Sequence, residues 1–202
     1  MVRDSIAQYF NHTDETMYYI FENQDGTKTV VLTFLRSELL NDLDSYGFVE
    51  GDVMNTGDPK VEAHEHLRHG RHQTMDITQD GNIDLVTRWL NLKLAWCKEK
   101  GLYPFTKNPV MDNVTLDDIL TGPDVYTITM TVPGDFSDTT AEWLEELIHN
   151  LLVWYVLYRW LSMTKPEGAA KWKDAVDDAE ADIKGALARR CGRTRRKTRP
   201  FG

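Results

Sequence analysis

Cysteine is scarce in this 202-residue chain, and so are long apolar stretches. Its two cysteines, Cys97 and Cys191, lie far apart and form no disulfide framework, which favours a reducing compartment. The longest unbroken apolar run, residues 151–158, is far shorter than the roughly 20 residues that a membrane span needs. No apolar segment follows a basic N-terminal stretch. We therefore expect a soluble protein that is not exported and does not enter a membrane.

The glycine-rich and serine motifs of common enzyme classes are also missing. Gly-x-x-x-x-Gly-Lys-Ser/Thr, Gly-x-Gly-x-x-Gly and Gly-x-Ser-x-Gly do not occur, so phosphate-binding loops and a serine nucleophile have no sequence signal. Histidines cluster at His64, His66, His69 and His72, and imidazoles could hold Zn²⁺. Their spacing matches no metal motif, and Gly70 would interrupt a helix that aligned them. We expect a polar, titratable loop without a metal or cofactor, in a protein that is not an enzyme.

Charge is plentiful but unevenly distributed. The net charge is −9, yet seven of the 23 basic residues occupy the last fourteen positions. The remaining 16 basic residues face 32 acidic ones, so the body carries −16 and the C-terminal end +7. Such asymmetry predicts an arm that docks on a partner or binds nucleic acid. The seven basic residues are Arg189, Arg190, Arg193, Arg195, Arg196, Lys197 and Arg199.

Residues 1–135 predict a mixed α/β region with a small sheet. Segments 18–21 and 30–34 are rich in aromatic and β-branched residues and flank Asp25-Gly26, a turn pair typical of a β-hairpin. A further strand should end at Pro133, with one face buried. Its inward residues are Tyr126, Ile128, Met130 and Val132, which alternate with threonines.

Helical periodicity recurs in the same region. Residues 37–46 predict a short helix ended by Gly47, and residues 83–100 predict a well-buried helix. Between them, residues 50–82 hold several glycines and few large apolar side chains, which predicts a long loop. Residues 114–120 predict another short helix.

Residues 136–192 predict an antiparallel helical hairpin. Thr139 and Glu142 form a capping-box signature at its start, and the first helix is apolar on nearly all sides, so neighbouring elements or partner subunits must cover it. Within it, Arg159 and His149 must reach solvent or a partner. Residues 164–167 break the helix, with threonine as the expected N-cap of the next one. The candidate core or oligomer-interface residues are Trp143, Leu147, Leu151, Trp154, Tyr158, Leu161, Trp172, Val176 and Ile183.

Residues 193–202 predict an extended basic tail, because like charges repel and Pro200 cannot continue a helix. One interpretation is a docking arm: its arginines pair with carboxylates of a neighbouring subunit, and Pro200 and Phe201 fill an apolar pocket. A second interpretation is a disordered, solubilising tail. A third is an arm that neutralises phosphates of a nucleic acid. Arms of that kind commonly carry several stacking aromatics, whereas this one has only Phe201.

Three motifs within residues 140–202 carry a resemblance to a known family: the aromatic run 154–160, the pair Lys171-Trp172, and the terminal Arg199-Pro200-Phe201. In these motifs the segment resembles the helical hairpin and arginine-rich tail of ring, or head-to-tail connector, proteins of crAss-like bacteriophages. The resemblance implies a structural virion protein that assembles in the host cytoplasm. It further implies a ring beneath the portal, of about twelve copies by analogy with portal symmetry.

Taken together, these patterns predict an α+β fold with an N-terminal β-hairpin and small sheet, a C-terminal antiparallel helical hairpin, and an extended basic docking tail. The implied partners are further copies of the chain, the portal protein, and other connector or tail ring proteins. Genomic DNA would pass through the ring without sequence-specific binding, since an acidic surface repels it. The alternative function is a nucleic-acid-binding protein that uses the basic tail.

Overall fold

The computed structural model describes residues 18–52, 74, 76–106 and 122–189. They form an α+β arrangement, which confirms the predicted fold class. Among these residues no helix combines the length and hydropathy that a membrane crossing requires. The elements in chain order are β1 (Tyr18–Glu22), β2 (Thr27–Leu35), α1 (Arg36–Asp52), α2 (Ile83–Trp96) with a π-helical turn (Cys97–Gly101), β3 (Val125–Pro133), α3 (Asp138–Thr164) and α4 (Pro166–Arg189).

Strands β1 and β2 form the predicted hairpin. Their antiparallel register places Tyr18 opposite Leu32 and Glu22 opposite Lys28. The turn depends on Gly26, whose φ of 78° lies in the left-handed region that favours glycine. The Asp-Gly pair predicts a positive φ at both of its positions, and the structure confirms it for Gly26 but not for Asp25.

Strand β3 pairs antiparallel with β2, so β2 is the middle strand. Its buried and half-buried residues alternate along all nine positions, as the period of two requires. The predicted inward set and the predicted end at Pro133 are both confirmed. From β2, Val30, Leu32 and Phe34 join the same core and are fully buried.

The prediction that Gly47 ends α1 is wrong, because the helix continues to Asp52. A β-carbon on Gly47 would lie 2.9 Å from Cγ2 of Ile77 and 3.4 Å from the carbonyl oxygen of Thr74. Glycine is therefore needed here for the close approach of another segment, not for a left-handed helix end. The sequence alone does not show whether a glycine ends a helix or allows another segment to approach it closely.

The helix predicted over residues 83–100 is confirmed, as α2 and the π-helical turn that continues it. The end is closed by the Leu102 amide, which donates to the Cys97 carbonyl at 2.8 Å. In the loop predicted over residues 50–82, the first three residues belong to α1, and residues 76–82 form turns. Thr74 is helical and buried. Residues 53–73 and 75, with the His64 to His72 cluster, lie outside the described residues, as do the helix predicted over 114–120 and the tail 193–202.

Helix α3 begins earlier than its predicted capping box. Ser137 is the N-cap, in extended conformation, and its carbonyl accepts from the amides of Thr140 and Ala141 at 3.0 and 3.2 Å. Thr139 thus lies inside the first turn, so the prediction of a Thr139 and Glu142 capping box is wrong. The hairpin itself is confirmed.

A single residue, Lys165, separates α3 from α4. Pro166 opens α4 at the position where its missing N–H costs nothing, as predicted. Thr164 is the last residue of α3, and its hydroxyl donates to the Trp160 carbonyl at 3.1 Å. It therefore does not serve as the N-cap of α4.

Helix α3 is the centre of the core, which confirms that an apolar helix of this kind needs several neighbours. It packs against α1, α2, α4, β1 and β2. The cover therefore comes from the same chain, and the apolarity of α3 does not require a partner subunit. Its buried residues are Ala141, Leu144, Ile148, Leu151, Leu152, Val153, Val156, Leu157, Trp160 and Leu161.

Candidate docking surface

The basic arm begins where α4 ends. Arg189 is the last residue of α4. The other arm residues lie outside the described part of the chain: Arg190, Arg193, Arg195, Arg196, Lys197, Arg199, Pro200 and Phe201.

The predicted core or interface set divides into three groups by exposure. Leu151, Leu161, Val176 and Ile183 are buried in the core. Leu147, Trp154, Tyr158 and Trp172 are half-buried against it. Trp143 is 38% exposed near the start of α3. Most of this set therefore stabilises the chain's own hairpin, and Trp143 is the member with the most surface to offer a partner.

The outer side of α4 carries a row of carboxylates that we call the acidic face: Asp174, Asp177, Asp178 and Asp182, all exposed. Three of them follow at steps of four residues and so lie on one side of the helix. Asp177 accepts a hydrogen bond from Lys173 Nζ at 2.9 Å, which raises the pKa of that lysine. Within the described ranges the other three form no salt bridge, so the acidic face presents a negative field to solvent.

Glu50 joins the end of α1 to the corner between α3 and α4. Its carboxylate is 3% exposed and forms a salt bridge with Lys171. One of its oxygens also accepts from Trp172 Nε1 at 3.1 Å, and the other lies 3.7 Å from Lys165 Nζ. Lys165 in turn donates to the Glu50 carbonyl at 2.9 Å. We call these four residues the Glu50 cluster.

A second buried charge, Lys93, links α2 to the hairpin. Its ammonium pairs with Glu180 of α4 and lies 4.2 Å from the Trp96 ring centroid and 4.9 Å from that of Tyr155. Carboxylate and ring faces together offset the loss of hydration of a lysine that is only 4% exposed.

A third cluster of polar side chains lies between α1 and α3, and it contains more acidic than basic groups. His149 Nε2 lies 2.8 Å from Asp42 Oδ2. One turn earlier on each helix are Glu38 and Glu145, and burial is the main cause that raises the pKa of Glu145 to about 7. We call these four residues the α1–α3 seam.

The π-helical turn holds two further perturbed groups. Burial raises the pKa of the Cys97 thiol to about 12, so it stays protonated and unreactive at neutral pH. Burial also lowers the pKa of Lys98 to about 8. In the residues that the structure describes, no group of three His, Cys, Asp or Glu side chains could hold a metal ion.

Sequence reasoning missed Glu50, Lys93 and Glu145. Lys93 lies four residues after Trp89 and three before Trp96, which is an apolar position of the helical repeat. A charged residue at such a position could have indicated a buried lysine. Glu145 likewise lies three residues before Ile148, on the buried side. Glu50 gave no such signal, because the helix was expected to stop at Gly47.

No protein-family model, curated protein or solved structure matches the chain.

Proposed function

We propose that the protein is a structural component of a tailed-phage virion, without enzymatic activity. In this proposal its copies form a ring in the portal or head-to-tail connector, around the channel through which DNA passes. The observation that carries the proposal is the charge polarity of the C-terminal part: the acidic face of α4 is followed by an arm of opposite sign. The resemblance of residues 140–202 to connector proteins supplies the class of assembly.

The dimensions suit an arm that binds a neighbouring copy. Residues 193–201 in extended form would reach about 30 Å. Asp174 to Asp182 spans about 12 Å along the helix axis. Arginines of one copy can therefore pair along the whole acidic face of the next, and a closed ring gives every arm one acceptor.

The same polarity suits a DNA channel. Carboxylates that face the bore would repel the phosphate backbone, whereas a basic lining would retain DNA by counterion release. With its positive charges engaged by protein, the arm would not hold the genome.

The test is the mass of the purified protein, measured by analytical ultracentrifugation for the full chain and for a chain that lacks residues 193–202. We expect the full chain to form a ring and the truncated chain to remain small. Replacing Asp174, Asp178 and Asp182 together by asparagine should have the same effect. The matched control replaces Asp80, Asp84 and Glu99, also exposed, by their amides and should leave the ring intact. A full chain that stays monomeric or dimeric would contradict the proposal.

The second candidate function, nucleic-acid binding, is favoured by the seven positive charges of the arm. It predicts the opposite result on truncation: the mass stays unchanged, while retention of DNA that weakens with rising salt is lost. One preparation of the truncated chain therefore separates the two candidates.

A further inference from the structure

We propose that the α1–α3 seam is a pH-dependent contact, which holds α1 against α3 below neutral pH and loosens above it. The inference rests on side chains between these two helices and is independent of the proposed function. It concerns a conformational device in the N-terminal half of α1, whose C-terminal end is held separately by the Glu50 cluster.

The geometry places acidic groups of both helices in one contact. Asp42 and His149 form the 2.8 Å pair, and Glu38 and Glu145 precede them by four residues on their respective helices. The Oε2 atom of Glu38 is buried, and among the described residues it accepts no hydrogen bond. A buried carboxylate oxygen without a donor is costly, and a second negative charge beside it raises that cost.

The negative charge of the seam depends on the proton of Glu145. Deprotonation of Glu145 adds a third carboxylate to those of Glu38 and Asp42. Repulsion then acts between helices that otherwise pack closely.

The surroundings of Glu145 raise its pKa, so that its carboxyl group is still partly protonated near neutral pH. Burial is the largest influence on its pKa, and carboxylates of Glu146, Glu38 and Glu142 act in the same direction. His149 is the one described group that opposes them. From α1, Glu38 and Asp42 face the seam, and neither can supply positive charge.

The sign of the effect follows from linkage. In an opened seam, Glu145 would return to its ordinary pKa of 4.5, whereas in the closed seam the pKa is about 7. The closed form therefore binds the proton more tightly, and its advantage is lost as pH rises between these values. Between about pH 5.5 and about pH 7.5, the opening equilibrium should increase on the order of tenfold.

The expected motion is local. Residue 36 follows β2 without a linker, and Glu50 holds the other end of α1. Loosening should therefore appear in the backbone amides of residues 38–46 rather than as displacement of the whole helix.

The experiment is hydrogen exchange of the full chain at the two pH values, expressed as protection factors so that the intrinsic pH dependence of exchange cancels. We expect protection of residues 38–46 to fall on the order of tenfold at the higher pH, while α2 changes little. Equal changes in α1 and α2, or none in α1, would overturn the proposal.

Two variants assign the effect to its group. Glu145→Gln imitates the protonated side chain, so it should keep α1 protected at both pH values. Glu99→Gln, an exposed carboxylate of the π-helical turn with the same change of charge, should behave as wild type. The proposal is overturned if Glu145→Gln retains the wild-type pH dependence, or if Glu99→Gln abolishes it. Titration of the Glu145 carboxyl carbon by NMR gives an independent check, since an ordinary pKa there would also overturn it.

Discussion

The two ends of α1 hold carboxylates in opposite ways. At the C-terminal end, Glu50 is almost fully buried and is surrounded by Lys165, Lys171 and Trp172. Beside its N-terminal half, Glu38 and Glu145 are partly buried, and the group that lowers the pKa of Glu145 is His149. The partners, rather than burial alone, decide whether a carboxylate fixes a helix permanently or makes its packing depend on pH.

Electrostatics explains the difference. Removing a carboxylate from water costs several kcal/mol, and only a close cation with further hydrogen bonds offsets it. The Glu50 cluster provides two ammonium groups and an indole N–H, so its charge is balanced. The α1–α3 seam lacks this balance, and protonation of Glu145 reduces the cost instead.

The largest effect on stability is expected from removing the carboxylate of the Glu50 cluster. Glu50→Ala removes the carboxylate from Lys165, which is 7% exposed and would remain a buried charge. We expect a loss of about 3 kcal/mol in the free energy of unfolding, measured by urea denaturation. Glu142→Ala, an exposed carboxylate on α3, serves as control and should cost about 0.5 kcal/mol or less. A loss for Glu50→Ala no larger than the control's would show that the cluster does not stabilise the fold.

The Lys93 and Glu180 pair tests whether the same rule applies elsewhere. Glu180→Ala leaves a buried ammonium without its carboxylate and should cost about 2 kcal/mol. Lys93→Met should cost only about 1 kcal/mol, because Met keeps the contact with Trp96 and Tyr155 while the Glu180 side chain, 25% exposed, can be hydrated. Equal losses for the two variants, again in urea, would contradict the view that the more buried partner sets the cost.

Between the two ends of α1 lies Gly47, and substituting it tests how tightly the helix is packed there. Gly47→Ala gains about 1 kcal/mol of helix propensity but pushes a methyl group to 2.9 Å from the buried Ile77, which costs about 2 kcal/mol. We expect a net loss of about 1 kcal/mol. Gly185→Ala in α4 meets no atom within 4 Å and should instead gain about 0.5 kcal/mol. Thermal unfolding of both variants measures the opposite signs, and a gain at Gly47 would refute the close packing.

Most of the fold could be predicted from patterns among residues that are close together in the sequence. The Asp-Gly turn, the alternation along residues 126–132 and the Pro166 restart each act within a few residues, so the sequence displays them directly. Those predictions hold in the structure. Two predictions were wrong. At Gly47 the contact with the distant Ile77, rather than a helix end, requires the glycine. At the Thr139 capping box the helix had already begun, at Asp138.

Polar contacts between distant elements could not be predicted in this way. The Glu50 cluster joins residues more than a hundred positions apart, and the salt bridge from Lys93 spans 87. Composition gives the number of charges, whereas the fold decides which of them meet. The acidic face of α4 lies between these local and long-range cases. Once the helix is assumed, the spacing of its carboxylates alone predicts that they share one side.

The smallest effect is expected from Asp42. Asp42→Asn changes the carboxylate opposite His149 to an amide, and because Asp42 is about half exposed, solvent screening limits the expected loss to about 0.5 kcal/mol. Urea denaturation measures the loss, with Asp44→Asn on the outer side of α1 as a charge-matched control. A loss no larger than the control's would show that the contact between Asp42 and His149 does not stabilise the packing of α1 on α3.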